Sequence, residues 1–295
     1  MTSRLSNPVR SEAAQDCTIE LDGPPNLMAL YARGALARHR GDQLPTTQVA
    51  LRDQAIDADH LAAYQKVCGF GVRDELPPTY LHMLAFPLAI SLMVDPAFPL
   101  PLLGLVHLAN VIEQRRPVRL DETVSLAVHG ADLRKHEAGQ TVDLIAEATV
   151  GNETVWRSRS TYLRRGKRSG SRPPRTTSNP PPGPTINIRV PGDIGRRYAA
   201  VSGDRNPIHL HPLTARAFGF PRAIAHGMWV KARVLASIEE RLPEAFTVDV
   251  AFKTPVLLPS TVSLIAVPDA HGAWALDVRS AKSGKPHLAG SVTLR

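Results

Sequence analysis

The sequence predicts an α+β protein built from two tandem copies of one unit, each an antiparallel sheet wrapped round one long helix. Three observations carry this prediction. Two blocks of residues recur at nearly the same offset, a basic proline-rich stretch lies between the copies, and each copy ends in alternating strands that follow a helix-patterned segment. The first block pairs Tyr64-Gln-Lys-Val-Cys-Gly69 with Tyr198-Ala-Ala-Val-Ser-Gly203, an offset of 134 from position 64 to position 198. The second pairs PVRLDETVSL, starting at Pro117, with PVLLPSTVSL, starting at Pro255, an offset of 138 with seven of ten positions identical. A four-residue difference in length between the blocks reconciles the two offsets.

Residues 1–44 read as an N-terminal lead-in. Met1 to Gly23 carries Arg4, Arg10, Glu12, Asp16 and Glu20 without the apolar run of a signal peptide, so a floppy or loosely docked segment is expected. Residues 45–163 form the first copy. Thr46–Arg52 reads as a strand ahead of an acidic helix start at Asp57, and the longer helix is placed at about Pro87 to Val94, where Pro87 is acceptable only near a first turn. Val142–Val150 and Thr154–Leu163 read as strands around a Gly151-Asn152 turn.

Residues 164–185 hold the linker. From Leu163 to Thr185 the sequence is LRRGKRSGSRPPRTTSNPPPGPT, with six basic residues, no acidic ones and six prolines, which cannot bury apolar area. Residues 186–295 form the second copy, led by a strand at Thr185–Val190 and a helix start at Asp193. Its longer helix is expected over Gly227–Leu242, with Val230, Val234, Leu235, Ile238 and Leu242 at three-to-four spacing. Ala273–Ala281 and His287–Leu294 then read as strands around residues 283–286.

The net charge of +8 resolves into −4 for residues 1–162, +6 for 163–185 and +6 for 186–295. Without interleaved aromatics the basic linker reads as a solvated tether, and no nucleic-acid partner is expected. The composition, 43% apolar over 295 residues, excludes collagen, coiled coil and wholesale disorder. Cys17 and Cys68 are the only cysteines, which disfavours a disulfide scaffold and suits a reducing cytoplasm. The longest apolar stretches, Leu84–Val94 and Phe98–Leu108, fall short of the ~20 residues of a membrane span.

Candidate chemistry sits in one copy. After Gly203 the second copy continues Asp204-Arg-Asn206-Pro207-Ile-His209 and later reads Ala225-His226-Gly227-Met228, whereas the first copy has Phe70, Val72 and Glu75 at the corresponding places. A feature needed for folding belongs in both copies; one needed for chemistry can survive in one.

These residues resemble the MaoC-like, (R)-specific enoyl-thioester hydratases and dehydratases. The first copy, with Leu76-Pro-Pro-Thr-Tyr80 and Phe98-Pro-Leu-Pro-Leu-Leu-Gly-Leu-Val-His107, resembles the degenerate leading domain of two-domain members. The resemblance implies a double hot-dog fold, a hydro-lyase of fatty-acid metabolism with one active site, no cofactor, and acyl-CoA or acyl-carrier-protein thioesters as substrates. Removing water from a 3-hydroxyacyl thioester requires a proton taken from C2, a proton given to the departing hydroxyl and support for charge on the thioester oxygen. Asp204 and His209 are the candidates for acid and base, with neither assigned a particular proton. Asn206 has a supporting role, and the Gly227 N–H at a helix start is the oxyanion candidate. Ser202, Gly203, His226, Met228 and Lys253 are candidate substrate contacts, although Ser202 matches Cys68 and so also reads as a small packing residue.

No metal is expected, because His209, His211 and His226 have no acidic or thiol partner at a familiar spacing, and Asp204-x-Asn206 lacks the rest of a calcium loop. Nucleotide-binding glycine motifs are absent from the sequence. Arg222, Lys253, Arg279, Lys282 and Lys285 are candidates to meet CoA phosphates or an acidic carrier protein. Phe70 and Val72 are expected to give a longer acyl chain room. Two readings from other classes remain: a non-catalytic acyl-thioester or carrier-protein binding subunit, and a hot-dog thioesterase. A chain containing both units is expected to stand as a monomeric pseudo-dimer or to form a homodimer.

Overall fold

A computed structural model describes residues 17–36, 41–166 and 179–295. The first sixteen residues of the lead-in and residues 167–178 of the linker lie outside the described residues. In chain order the elements are β1 (Cys17–Leu21), α1 (Leu27–Leu36), β2 (Thr47–Ala55), α2 (Ala58–Cys68), α3 (Pro78–Met93), β3 (Leu105–Gln114), β4 (Thr123–His136), β5 (Gly139–Val150) and β6 (Glu153–Arg165). There follow β7 (Thr185–Val190), α4 (Ile194–Ser202), α5 (Pro207–Leu210), α6 (Pro212–Ala217), α7 (Gly227–Ala236), β8 (Phe246–Phe252), β9 (Ser260–Pro268), β10 (Trp274–Ser280) and β11 (Pro286–Leu294).

One eleven-stranded sheet runs in the order β1-β2-β4-β5-β6-β3-β8-β11-β10-β9-β7. Only β1 and β2 pair in parallel; the other neighbours are antiparallel. Outward from the central β3–β8 pair the order is β6-β5-β4-β2 on one side and β11-β10-β9-β7 on the other, the same connectivity twice. The first half-sheet packs on α3 and the second on α7, which is the hot-dog arrangement repeated. Joining the halves through β3 and β8 pairs two strand edges that would otherwise expose unpaired backbone groups.

Local chemistry explains the matched helices. Asp57 caps α2 by accepting from the His60 N–H at 3.0 Å. Both α2 and α4 end on glycines with positive φ, Gly69 at +81° and Gly203 at +70°, and each cap N–H returns to the last turn, to Gln65 O and Ala199 O.

Two helices differ from the sequence expectation. The first-copy helix begins nine residues earlier than Pro87, at Pro78, so Pro87 lies in its interior. Proline there forfeits one backbone bond, but α3 is apolar on nearly every side and Leu88, Ile90, Leu92 and Met93 are all buried, so packing outweighs the loss. The second-copy helix stops at Ala236 instead of reaching Leu242. The Ser237 hydroxyl turns back to Val234 O at 2.6 Å, a short turn follows over Glu239–Arg241, and Ile238 is still delivered to the core.

The lead-in also contains ordered structure: β1 pairs with β2, and α1 packs against α3 with Leu30 in the core. At the linker ends, β6 continues to Arg165 and Thr185 already belongs to β7. Among the described residues no helix is long and apolar enough to cross a membrane.

Candidate active site

The loop between α4 and α5 presents Asp204. Gly203 in its left-handed conformation stops α4 and turns the chain, and the Asp204 N–H donates to Ser202 Oγ at 3.2 Å. The Asn206 side chain accepts from the Ile208 N–H at 3.4 Å and so caps the single turn α5, whose first residue, Pro207, has no N–H to satisfy. That turn delivers His209 into the interior, 9% exposed. His209 Nδ1 lies 2.8 Å from Ile224 O; the carbonyl can only accept, so Nδ1 carries the proton and Nε2 keeps its lone pair.

His226 caps the start of α7. Its Nε2 lies 3.0 Å from the Asp204 backbone carbonyl and 3.7 Å from Asp204 Oδ2, while its buried Nδ1 has no hydrogen-bond partner among the described residues. The His209 and His226 rings stack with centroids 3.7 Å apart at 26°, and Tyr198 packs on His226 at 4.9 Å. Asp204 Oδ1 accepts the Tyr31 hydroxyl at 2.8 Å and the Asn206 N–H at 3.1 Å. The next residue after His226, Gly227, opens α7 against the Phe252 ring, which a Cβ would meet at 3.1 Å. Its N–H has no hydrogen-bond acceptor among the described residues.

Burial by itself pushes the Asp204 carboxyl up, but His226, His209, the Asn206 N–H and the Tyr31 hydroxyl together outweigh it and hold the group below its usual range. Burial lowers His209, against the pull of the Asp204 charge and the Ile224 carbonyl. His226 is pushed down to about 3, chiefly by burial and then by His209. The site at pH 7 therefore holds an ionised carboxylate and two neutral imidazoles.

These groups line a cavity of about 240 Å³ together with Ser202, Gly227 and Met228. Its apolar lining comes from both copies: Phe86, Ile90 and Met93 of α3 and Leu102 and Val106 at and before β3 in the first, and Ile208, Ile224 and Phe252 in the second. That corrects the expectation for Phe70 and Val72. Phe70 lines a separate hollow of about 220 Å³ with Gln65 and Glu239, and Val72 is 61% exposed. Gly203 does not line the cavity either: the Leu27 side chain lies 2.3 Å from where its Cβ would be, so it is a helix terminator packed under α1. Lys253 stands exposed at the cavity wall, whereas Arg279 is already bonded to buried Asp277 at 2.7 Å.

Polar cavity residues that the sequence reading did not single out include four before the linker: Tyr31, His82, His107 and Tyr162. His107 stacks on Tyr162 with centroids 4.5 Å apart. All four precede the linker, in the part of the chain where the motif is absent, so repeat comparison had no signal for them.

Asp204, His209 and His226 bring one potential ligand atom each within 4.8 Å of the others, so folding supplies the acidic partner that sequence spacing lacked. His211 is elsewhere, capping α6 through its ring nitrogen on the Leu213 N–H. Of the three clustered residues His226 is the poor ligand, because its Nε2 must carry a proton to bond the Asp204 carbonyl.

The fold is a double hot dog in which a carboxylate and an imidazole converge beside a helix start. A model of the MaoC-like domain matches residues 166–287. The chain is 40% identical over 275 residues to 3-hydroxyacyl-thioester dehydratase X of Mycobacterium tuberculosis, covering 92% of this chain and 97% of that one. Among solved structures, HtdX of the same organism superposes with a TM-score of 0.75 at 38% identity, covering 84% of this chain and all of that one. The fold alone is shared with a MaoC-like dehydratase from Phytophthora capsici, TM-score 0.69 at 17% identity, covering 86% and 96% of the two chains. The chain belongs to the MaoC-like dehydratase family.

Proposed function

We propose that the protein is an (R)-3-hydroxyacyl-thioester dehydratase, equivalently a trans-2-enoyl-thioester hydratase, in which Asp204 and His209 move the proton and the Gly227 N–H receives the thioester oxygen. The observation that carries this reading is the convergence of Asp204 and His209 beside the start of α7, in a cavity that also has extensive apolar lining. The family relative named as a 3-hydroxyacyl-thioester dehydratase supports it.

Both groups enter the reaction unprotonated. In dehydration the proton removed from C2 is therefore the one returned to the leaving 3-hydroxyl, giving the enoyl thioester and water. In hydration the pair holds water, takes one of its protons and delivers it to C2 as oxygen bonds to C3. Charge gathering on the thioester oxygen is met by the N–H and dipole at the start of α7. Exposed Arg165 and Lys253 at the cavity wall suit the phosphates of CoA or an acidic carrier protein.

Enoyl-CoA substrates of several chain lengths test the reading, with loss of the enoyl absorbance and chiral analysis of the product. Turnover to the (R)-3-hydroxyacyl thioester is expected. Tight binding without turnover would make the protein a binding subunit, and release of free thiol without loss of the enoyl group would make it a thioesterase.

A further inference from the structure

Asp204 is an anion whose surroundings are almost wholly neutral. His226, neutral at pH 7, has its Nε2 3.7 Å from Asp204 Oδ2. The two carboxylate oxygens of Asp204 are treated differently. Oδ1 receives two donors, the Tyr31 hydroxyl at 2.8 Å and the Asn206 N–H at 3.1 Å. Oδ2 has His226 Nε2 beyond hydrogen-bond range and no donor of its own among the described residues.

Tyr31 comes from outside the repeat. It sits on α1, which precedes the first copy and is held in three ways: Leu27 lies over Gly203, Leu30 is in the core, and Gly34 is pressed so closely to Val94 and Leu102 that a Cβ there would lie 2.9 Å and 3.2 Å from their side chains. The cavity is thus closed on one side by a helix that the second copy does not itself contain.

Resting on the hydratase reading above, we propose that Tyr31 is a positioning residue of the active site: its hydroxyl holds Asp204 Oδ1, leaving Oδ2 as the oxygen that exchanges the proton with water or substrate. The N-terminal helix is then part of the reaction centre. Burial and the neighbouring Asp204 charge keep the phenol far above the usual tyrosine range, so it remains a donor throughout the working pH range. Asn206, the other donor to Oδ1, belongs to the same loop as Asp204 and travels with it. Tyr31 is the contact that fixes the carboxylate relative to the rest of the cavity.

The test follows kcat and KM for enoyl-CoA hydration against pH in the wild type, in Tyr31→Phe, and in protein carrying 3-fluorotyrosine at position 31. Losing a hydrogen bond to a charged group should lower kcat about 10- to 100-fold with KM little changed. The acid limb of the profile should move to higher pH, because the carboxylate loses a donor. The fluorinated phenol is a stronger donor of nearly the same shape and should move that limb to lower pH, which a purely structural role would not do. Unchanged kcat and acid limb in both proteins, or a rise in KM alone, overturns the inference. A wild type that does not hydrate enoyl thioesters overturns the functional reading instead. In that event infrared titration of the Asp204 carboxyl in wild type and Tyr31→Phe still decides: an upward shift supports the clamp and no shift overturns it. Should Tyr31→Phe fail to fold, the fluorotyrosine protein carries the same comparisons alone.

Discussion

Tyr64 and Tyr198, which hold the same position in the two repeats, face each other with ring centroids 6.2 Å apart. Repeat-equivalent residues meet in this way where the two units are related by a local two-fold axis, as the antiparallel pairing of β3 with β8 also requires. Other contacts cross the same seam. The Trp229 indole N–H on α7 donates to Val67 O at the end of α2, and His60 Nε2 lies 2.9 Å from Val201 O. The deepest contact is Lys231 of α7, fully buried, with its Nζ 3.0, 2.6 and 3.2 Å from Asn110 O, Asn110 Oδ1 and Val248 O, three acceptors that the two N–H groups of a neutral amine share.

Lys231 makes stability rise with pH on the alkaline side. Burial holds its amine well below the usual lysine range, so between that lowered value and the ordinary value of about 10.4 the unfolded chain binds a proton that the folded chain does not. Stability from this group is full above the unfolded value and is lost as pH falls. Urea unfolding at a series of pH values between about 7 and 10 should show a smaller rise in Lys231→Met than in the wild type, by up to about 1.4 kcal/mol per pH unit.

The stacked pair of His209 and His226 gives an acid-side counterpart. His226 is neutral in the folded protein down to about pH 3, whereas an unfolded histidine titrates near 6.5, so its contribution is fully present above about 6.5 and drains away as pH falls toward 3. Thermal unfolding should fall less steeply through this window in His226→Gln than in the wild type. Equal slopes would show that His226 takes up its proton without unfolding.

Asp204→Asn and His209→Ala should each lower enoyl-CoA hydration by about 10²- to 10⁴-fold, the usual contribution of a positioned acid or base. Far-ultraviolet circular dichroism should stay that of the wild type. Retention of activity by both variants would remove them from the reaction. If the pair moves the proton unaided, as proposed, metal chelation should leave turnover unchanged.

On the proposed reading, first-copy residues in the cavity lining bear on acyl-chain length. Val106 is half-buried on β3 and lines the same cavity as Asp204. Val106→Phe should reduce kcat/KM for long enoyl-CoA substrates at least several-fold and leave the shortest nearly unaffected, a selectivity of the size that a few methylenes support. The check is the ratio of kcat/KM for a long and a short substrate.

Much of the architecture was legible before folding was considered. The recurring Tyr-to-Gly blocks are α2 and α4 with their glycine terminators, and the PV-containing blocks run into β4 and β9. Strand ends were read to within a few residues because alternation and turn residues act locally. The helix α3 was the main difference, since a segment buried on all sides has no amphipathic stripe to mark its start, and Pro87 suggested a boundary that packing overrode.

The sequence by itself determined that there are two copies of one α+β unit and that only the second carries the Asp-x-Asn-Pro-x-His block, because both facts lie in residue identity and short-range order. Tertiary structure alone decided how the candidate site is completed. It placed Phe86, Ile90 and Val106 of the first copy in the same cavity as Asp204, put the Tyr31 hydroxyl on that carboxylate from 173 positions away, and stacked His226 on His209. Those contacts depend on β3 and β8 joining the two sheets, and no local pattern in either copy records which residues that joint brings face to face.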